Sequence, residues 1–173
     1  MGLFQPHGGH RHRDGEVPVA PRVGTVAGIA RRVGPRAPME VLDRVDVSVE
    51  RGVEGDHRGR RKPGGRNRRQ VSLMERGDWE AATAQIGQDL SWQMRRANLL
   101  VDGLDLPQRA GARLRIGRVL LEITVECDPC SRMEEIAPGL EAALLPDWRG
   151  GALARVLEGG PIAVGDVIRI EEP

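Results

Sequence analysis

Cys127 and Cys130 are the only cysteines in the chain, and they stand together in Cys127-Asp128-Pro129-Cys130. A thiolate is both a nucleophile and a soft metal ligand, so any sulfur chemistry is confined to this one place. Three kinds of chemistry use such a pair. Cys-x-x-Cys is half of a tetrahedral zinc site, but the other half is missing here. A thioredoxin-like couple needs the motif at a helix N-terminus in a βαβ context, whereas here it follows the apolar run 119–125 and contains Pro129. The reading that remains is one working cysteine with a neighbour, and its bland alternative is two small apolar fillers at a strand end.

A second constellation is Gly52-Val53-Glu54-Gly55-Asp56-His57, followed by Arg58, Arg60, Arg61, Lys62, Arg66, Arg68 and Arg69. Glycines let backbone N–H groups approach a ligand closely, and seven cations beside them make a natural anion site. The competing reading is a solvated basic loop, and a nucleic-acid backbone is a second candidate ligand. A third constellation is Arg95-Arg96-Ala97-Asn98. In an extended chain Arg96 and Asn98 share a face. Arginine can fork onto a phosphate while asparagine gives and takes hydrogen bonds with a heterocycle edge.

Composition limits what these groups can serve. The chain has 173 residues, 39% hydrophobic, with a formal net charge of +1, which suits one domain with a core of its own. Its rings are only Phe4, Trp79, Trp92 and Trp148. That scarcity argues against a single-stranded nucleic-acid platform, which stacks bases on aromatics. Lys62 is the only lysine. No run of roughly 18 apolar residues exists to span a membrane, and the first residues lack the apolar centre of a signal peptide. Two cysteines are too few for a secreted disulfide framework, so a cytoplasmic protein is expected.

The elements that must position these groups are short. Residues 1–21, with His7, His10 and His12, read as a mobile tail, and residues 22–173 as the domain. Strands are expected at 24–30, 39–49, 70–74 and 98–101. A hairpin is expected over 114–125 with its turn at Gly117-Arg118, and closing strands at 155–157 and 167–170. Asp78 is placed to cap a helix over 79–85, and short helical turns are expected at 133–137 and 140–145. Many short strands with few helices predict a mainly β, barrel-like fold.

Five stretches occur in order: Gly52-Val53-Glu54-Gly55-Asp56-His57; Arg96-Ala97-Asn98-Leu99-Leu100-Val101; Gly111 with Leu114, Ile116 and Gly117; Cys127 with Pro129 and Cys130; and Gly159-Gly160 with Ile162, Gly165 and Asp166. Together they resemble the MOSC domain, named after the C-terminal part of molybdenum cofactor sulfurase, over roughly residues 23–171. The resemblance implies a MOSC-type β-barrel that binds the molybdenum cofactor, molybdopterin. It implies Cys130 as the molybdenum ligand and catalytic thiol. His57 would be a proton donor, and Asp56, Arg58, Arg69, Ser72, Arg96 and Asn98 would hold the cofactor. The phosphate, polar heterocycle and soft metal centre of that cofactor are complemented by the Arg-rich loop, the Arg/Asn pair and a thiol.

The implied activity is reduction of N-hydroxylated compounds. Nothing in the sequence binds flavin, haem or iron–sulfur, so a separate electron-donor protein is required. The alternatives are a non-catalytic carrier of cofactor or sulfur for a molybdoenzyme acceptor, and a phosphate or nucleic-acid module acting through the basic loop. The chain lacks the aminotransferase-like part of the sulfurase. Lys62, in a Gly/Arg loop, is a poor Schiff-base lysine, so pyridoxal phosphate is not expected.

Overall fold

The first alternating run forms β1 (Val23–Arg31), a nine-residue strand whose two ends serve different neighbours. The structure is a computed structural model that describes residues 22–172. The stretch read as a tail, with His7, His10 and His12, lies outside the described residues. Along the chain follow β2 (Glu40–Leu42), β3 (Arg44–Ser48), β4 (Gly52–Val53), β5 (Val71–Glu75), α1 (Arg76–Gln85) and a 3-10 turn at Trp92–Arg95. Then come β6 (Leu99–Asp102), β7 (Arg113–Ile116), β8 (Val119–Glu126), α2 (Ser131–Ile136) and α3 (Leu140–Leu144). A second 3-10 turn at Pro146–Trp148 leads to β9 (Ala152–Glu158), β10 (Gly160–Ala163) and β11 (Val167–Glu171).

Seven strands close into a mixed barrel in the order β1, β11, β7, β8, β9, β5, β6 and back to β1. All neighbours are antiparallel except β5 and β6, which run parallel with Leu73 opposite Leu99. A parallel pair needs a long crossover, and α1 with the first 3-10 turn supplies it. This central pair is buried on both sides. Leu73 and Leu99 belong to the barrel interior, while Met74 and Leu100 point the other way, into a second core with Trp79, Met133 and Leu140. Period-2 alternation between two apolar environments is why both strands read as continuous hydrophobic runs. β3, β4 and β10 form a separate small sheet, and its Val45, Val47, Val53 and Ile162 join the interior cluster. Among the described residues no helix is long and apolar enough to cross a membrane.

The hairpin over 114–125 forms as expected, with Gly117 at φ 56° in its turn. Three expectations need correction. The single strand expected over 39–49 breaks at Asp43 into β2, which extends β1, and β3, which belongs to the small sheet. Val41 is consequently exposed while Val45 and Val47 are buried. The stretch after Gly159 contains β10, because Pro161 and Ile162 pair with Asp46 and Val45. Asp78 is not a cap: α1 begins at Arg76 after Glu75, so Asp78 lies inside its first turn.

That earlier start brings Glu75 and Asp78 together. Burial, then the Asp78 charge, raises the Glu75 carboxyl from 4.5 to about 8, and burial raises Asp78 as well. Glu75 Oε2 also accepts from the Leu106 N–H at 3.4 Å. The folded state therefore holds a proton that the unfolded chain releases. This contribution is complete below pH 4.5, shrinks as the pH rises and is gone beyond about 8. Thermal melts should show Tm falling over that window. Glu75→Gln should flatten the slope and raise Tm at pH 8.5 by about 2–4 °C, on the order of 1 kcal/mol after allowance for partial solvent screening. A wild-type Tm that is flat over the window would remove the shared proton.

Candidate functional site

The eight residues singled out in the sequence line one cleft of about 280 Å³: Asp56, His57, Arg58, Arg69, Ser72, Arg96, Asn98 and Cys130. Arg32, Met39, Arg95, Asp128, Arg132 and Met133 complete its wall. The groups arrive from seven places: the end of β1, the approach to β2, the turn after β4, the flank of β5, the 3-10 turn before β6, the loop after β8, and α2.

The turn after β4 is built by close backbone approach. Gly52 has φ 63°, and a Cβ there would lie 2.6 Å from the Gln70 carbonyl oxygen. Only glycine fits. The Arg-rich loop then leaves and returns under restraint, with Gln70 Nε2 donating to the carbonyls of Val49 (2.7 Å) and Gly59 (3.2 Å). Asp56 ties the turn to β1 by accepting from the Arg32 N–H at 2.9 Å and the Arg58 N–H at 3.3 Å. The His57 N–H donates to the Arg32 carbonyl at 2.8 Å. The His57 ring is different: its Nδ1 is buried with no hydrogen-bond partner. Loss of hydration, then the charges of Arg32 and Arg58, hold this imidazole below its ordinary value against the opposing pull of Asp56. The shift favours the neutral ring, and its unengaged Nδ1 is sealed behind the arginine-rich wall.

Ser72 and Asn98 lie deeper, 8% and 5% exposed. Asn98 Oδ1 accepts from the Ser72 N–H (3.0 Å) and hydroxyl (3.1 Å), and its Nδ2 donates to the Ala30 carbonyl at 3.1 Å. This side chain pins β1, β5 and β6 together. Its carbonyl is fully engaged by protein, so the heterocycle contact expected for Asn98 is reduced to one remaining amide hydrogen. Arg96 reaches the cleft by another route than extended geometry. It ends the 3-10 turn in the left-handed region at φ 67°, ψ 26°. A non-glycine residue there carries local strain of the kind concentrated at functional sites.

The two cysteines separate in role. Cys127 is buried and Cys130 exposed, and neither is in a disulfide. Arg95, 6% exposed, donates through Nη2 to the Cys127 carbonyl (2.9 Å) and Sγ (3.3 Å), and through Nε to the Gly150 carbonyl (3.1 Å). A Cβ on Gly150 would meet the Cys127 carbonyl at 2.5 Å, so glycine is needed for this loop to seat. With Cys127 locked from beneath, Cys130 is presented at the wall immediately before α2. The motif thus does precede a helix, though a short one outside a βαβ unit. Among the described residues no group of three His, Cys, Asp or Glu side chains could hold a metal by themselves.

Electrostatically the cleft is one-sided. Six arginines (Arg32, Arg58, Arg69, Arg95, Arg96 and Arg132) face two carboxylates, Asp56 and Asp128. Burial, then Arg96 and Arg58, hold the Arg32 guanidinium below its ordinary range. Arg58 is lowered by lost hydration, then by Arg69 and Arg132. Cations crowded so that they destabilise one another make a site preorganised for an anion. Sequence reasoning assigned no role to Arg32, Arg95 or Arg132. Arg95 sat inside a motif already noted, and Arg132 follows Cys130 by two residues. Arg32 looked like one of many scattered arginines.

A family model described as the MOSC domain matches residues 60–169. No curated protein matches the chain. Among solved structures, the YuaD protein from Bacillus subtilis is similar at 19% identity and TM-score 0.69, covering 86% of this chain and 95% of that one. YiiM from Geobacillus stearothermophilus is similar at 16% identity and TM-score 0.66, covering 86% of this chain and 75% of the other. YiiM from Escherichia coli is similar at 16% identity and TM-score 0.62, covering 90% and 71%. At these identities the likeness is one of fold.

Proposed function

Because the chain belongs to the MOSC domain family, we propose that its cleft binds the molybdenum cofactor and reduces N-hydroxylated compounds with electrons from a separate redox protein. The observation that carries this reading is the convergence of six guanidinium groups, an exposed thiol and the His57 imidazole on one wall. Each complements a different part of the cofactor: anionic phosphate, soft metal and polar heterocycle or oxygen ligand. A lone protein thiolate also suits a metal whose remaining ligands come with the cofactor.

When bound, the cofactor supplies a soft, redox-active metal centre. The chain supplies the rest. Arg58, Arg69 and Arg96 hold the phosphate by charged hydrogen bonds, with Arg32 and Arg132 adding field. Cys130 presents its sulfur as the protein ligand, and the Arg95–Cys127 clamp fixes where that sulfur sits. His57, whose backbone N–H is tied to the Arg32 carbonyl, would supply a proton to the bound substrate. Met39 and Met133 limit water on the apolar side.

Metal analysis together with fluorescence of the oxidised pterin tests the reading on protein from a molybdenum-competent host. Stoichiometric molybdenum and pterin are expected, and their absence would overturn it. Arg96→Ala should weaken retention of the cofactor by about ten- to hundredfold, the usual effect of losing a charged hydrogen bond of about 1.5–3 kcal/mol. Unchanged occupancy at limiting cofactor would remove Arg96 from the site.

A further inference from the structure

The Arg-rich loop is held in one shape, yet its charge is not neutralised from within the protein. Asn67, at φ 50°, accepts from the Lys62 N–H at 2.8 Å and donates to the carbonyls of Lys62 (3.2 Å) and Gly65 (3.0 Å). The Gln70 amide fixes the base of the loop at Gly59. All seven cations from Arg58 to Arg69 are exposed. Among the described residues none of their side chains is ion-paired, whereas Arg22, Arg31, Arg51, Arg76 and Arg115 elsewhere each hold a carboxylate. No Asp or Glu stands within the loop, so the other 19 cations face all 25 anions and the rest of the chain is net −6. Charge is segregated: a basic face on a chain that is otherwise net negative.

We propose, resting on the reductase reading above, that this loop docks the acidic face of an electron-carrier protein, which delivers its electrons at the mouth of the adjoining cleft. The reaction that carrier feeds breaks an N–O bond with two electrons and two protons, and the oxygen leaves as water. The position of the loop supports the assignment. The concavity of about 600 Å³ along Arg60, Lys62, Arg66 and Arg68 shares His57, Arg58 and Arg69 with the cleft. A carrier seated there lies beside the cleft without filling it. Complementary charge speeds encounter and sets orientation more than it adds affinity, which suits a donor that must leave after each transfer. A polynucleotide fits less well. No Phe, Tyr or Trp stands between Gly52 and Asp78 to stack a base, and a long polyanion would run from the loop onto a net negative body.

The test uses the protein as purified from a molybdenum-competent host, two acidic carriers (a flavodoxin and a plant-type ferredoxin), and reduced methyl viologen as a small donor. At least one carrier should bind, with Kd rising about tenfold between about 50 and about 300 mM salt. Arg60→Glu/Arg66→Glu should weaken that binding, and turnover at low carrier, by at least about tenfold. Tm and pterin content should not change, and turnover at saturating viologen should stay close to wild type. Failure of the wild type to bind either carrier, or equal binding by the variant, would overturn the docking site. Loss of pterin in the variant would assign the loop to the cofactor instead. A wild type inert with viologen would overturn the reductase reading, while the binding measurement still decides what the loop holds. Nuclease-sensitive nucleic acid kept by the wild type at ~0.5 M salt, in competition with the carriers, would replace the protein partner by a polynucleotide.

Discussion

Cys130→Ser is expected to abolish reduction of an N-hydroxylated test substrate while leaving the circular dichroism spectrum unchanged. Serine is nearly isosteric, but its hydroxyl is a far poorer ligand for a soft metal than a thiolate. The side chain is exposed at the cleft wall, so the core does not register the change. The loss should exceed the ~10–100-fold typical of changes one step removed from a metal. Cys127→Ser should be milder. Its buried sulfur accepts from Arg95 at 3.3 Å, and a serine oxygen can accept in its place. Equal loss in both variants would indicate a dithiol acting as a unit, and full activity in Cys130→Ser would end the ligand assignment. A wild type without reductase activity under any donor, yet able to load an apo-enzyme, would identify a carrier.

The second large effect concerns stability. Asn98→Ala should cost about 3–5 kcal/mol, about 10 °C in Tm for a chain of this size. Its amide answers the Ser72 N–H, the Ser72 hydroxyl and the Ala30 carbonyl in a buried environment. Each buried group left without a partner costs about 1–3 kcal/mol. Asn98→Asp keeps the acceptor and loses the donor, so it should fall between. Denaturant titration decides the matter. A cost under about 1 kcal/mol together with lost cofactor would make Asn98 a ligand contact rather than the pin of three strands.

These two positions also mark where sequence reading succeeded and where it ran short. Residues grouped from three separate stretches do meet on one wall, because the pairing register sets the end of β8 level with the start of β5 across Leu153. What each side chain does there was less legible. The Arg96–Asn98 pairing was inferred from extended geometry, but Arg96 is left-handed, a conformation decided by the tertiary environment. Asn98 looked like a ligand group because hydrogen-bonding capacity is visible in a residue type while its partners are not. Arg95 was hidden for the same reason: a buried arginine is recognisable only once the carbonyls it serves are known. The break at Asp43 was missed since alternation over 39–49 continues across a change of sheet. Strand density, the hairpin at Gly117 and the helical turns around Gly139 depend on local signals, and those were read directly.

The barrel's closure has a kinetic consequence. β1 is completed along its first residues by β11, with Val23 opposite Arg169 and Thr25 opposite Val167. The stave that closes the ring is therefore the last one made. Until it docks, β1 and β7 each present a bare edge, and the entropy of joining such distant segments places folding in the slow, non-local regime of about milliseconds to seconds. The cleft's own strands meet earlier, since β1, β5 and β6 all precede residue 103. A nascent chain can thus bring β1, β5 and β6 together before the Cys130 side of the wall exists, while its sheet edges remain exposed to other copies, the circumstance in which β proteins aggregate.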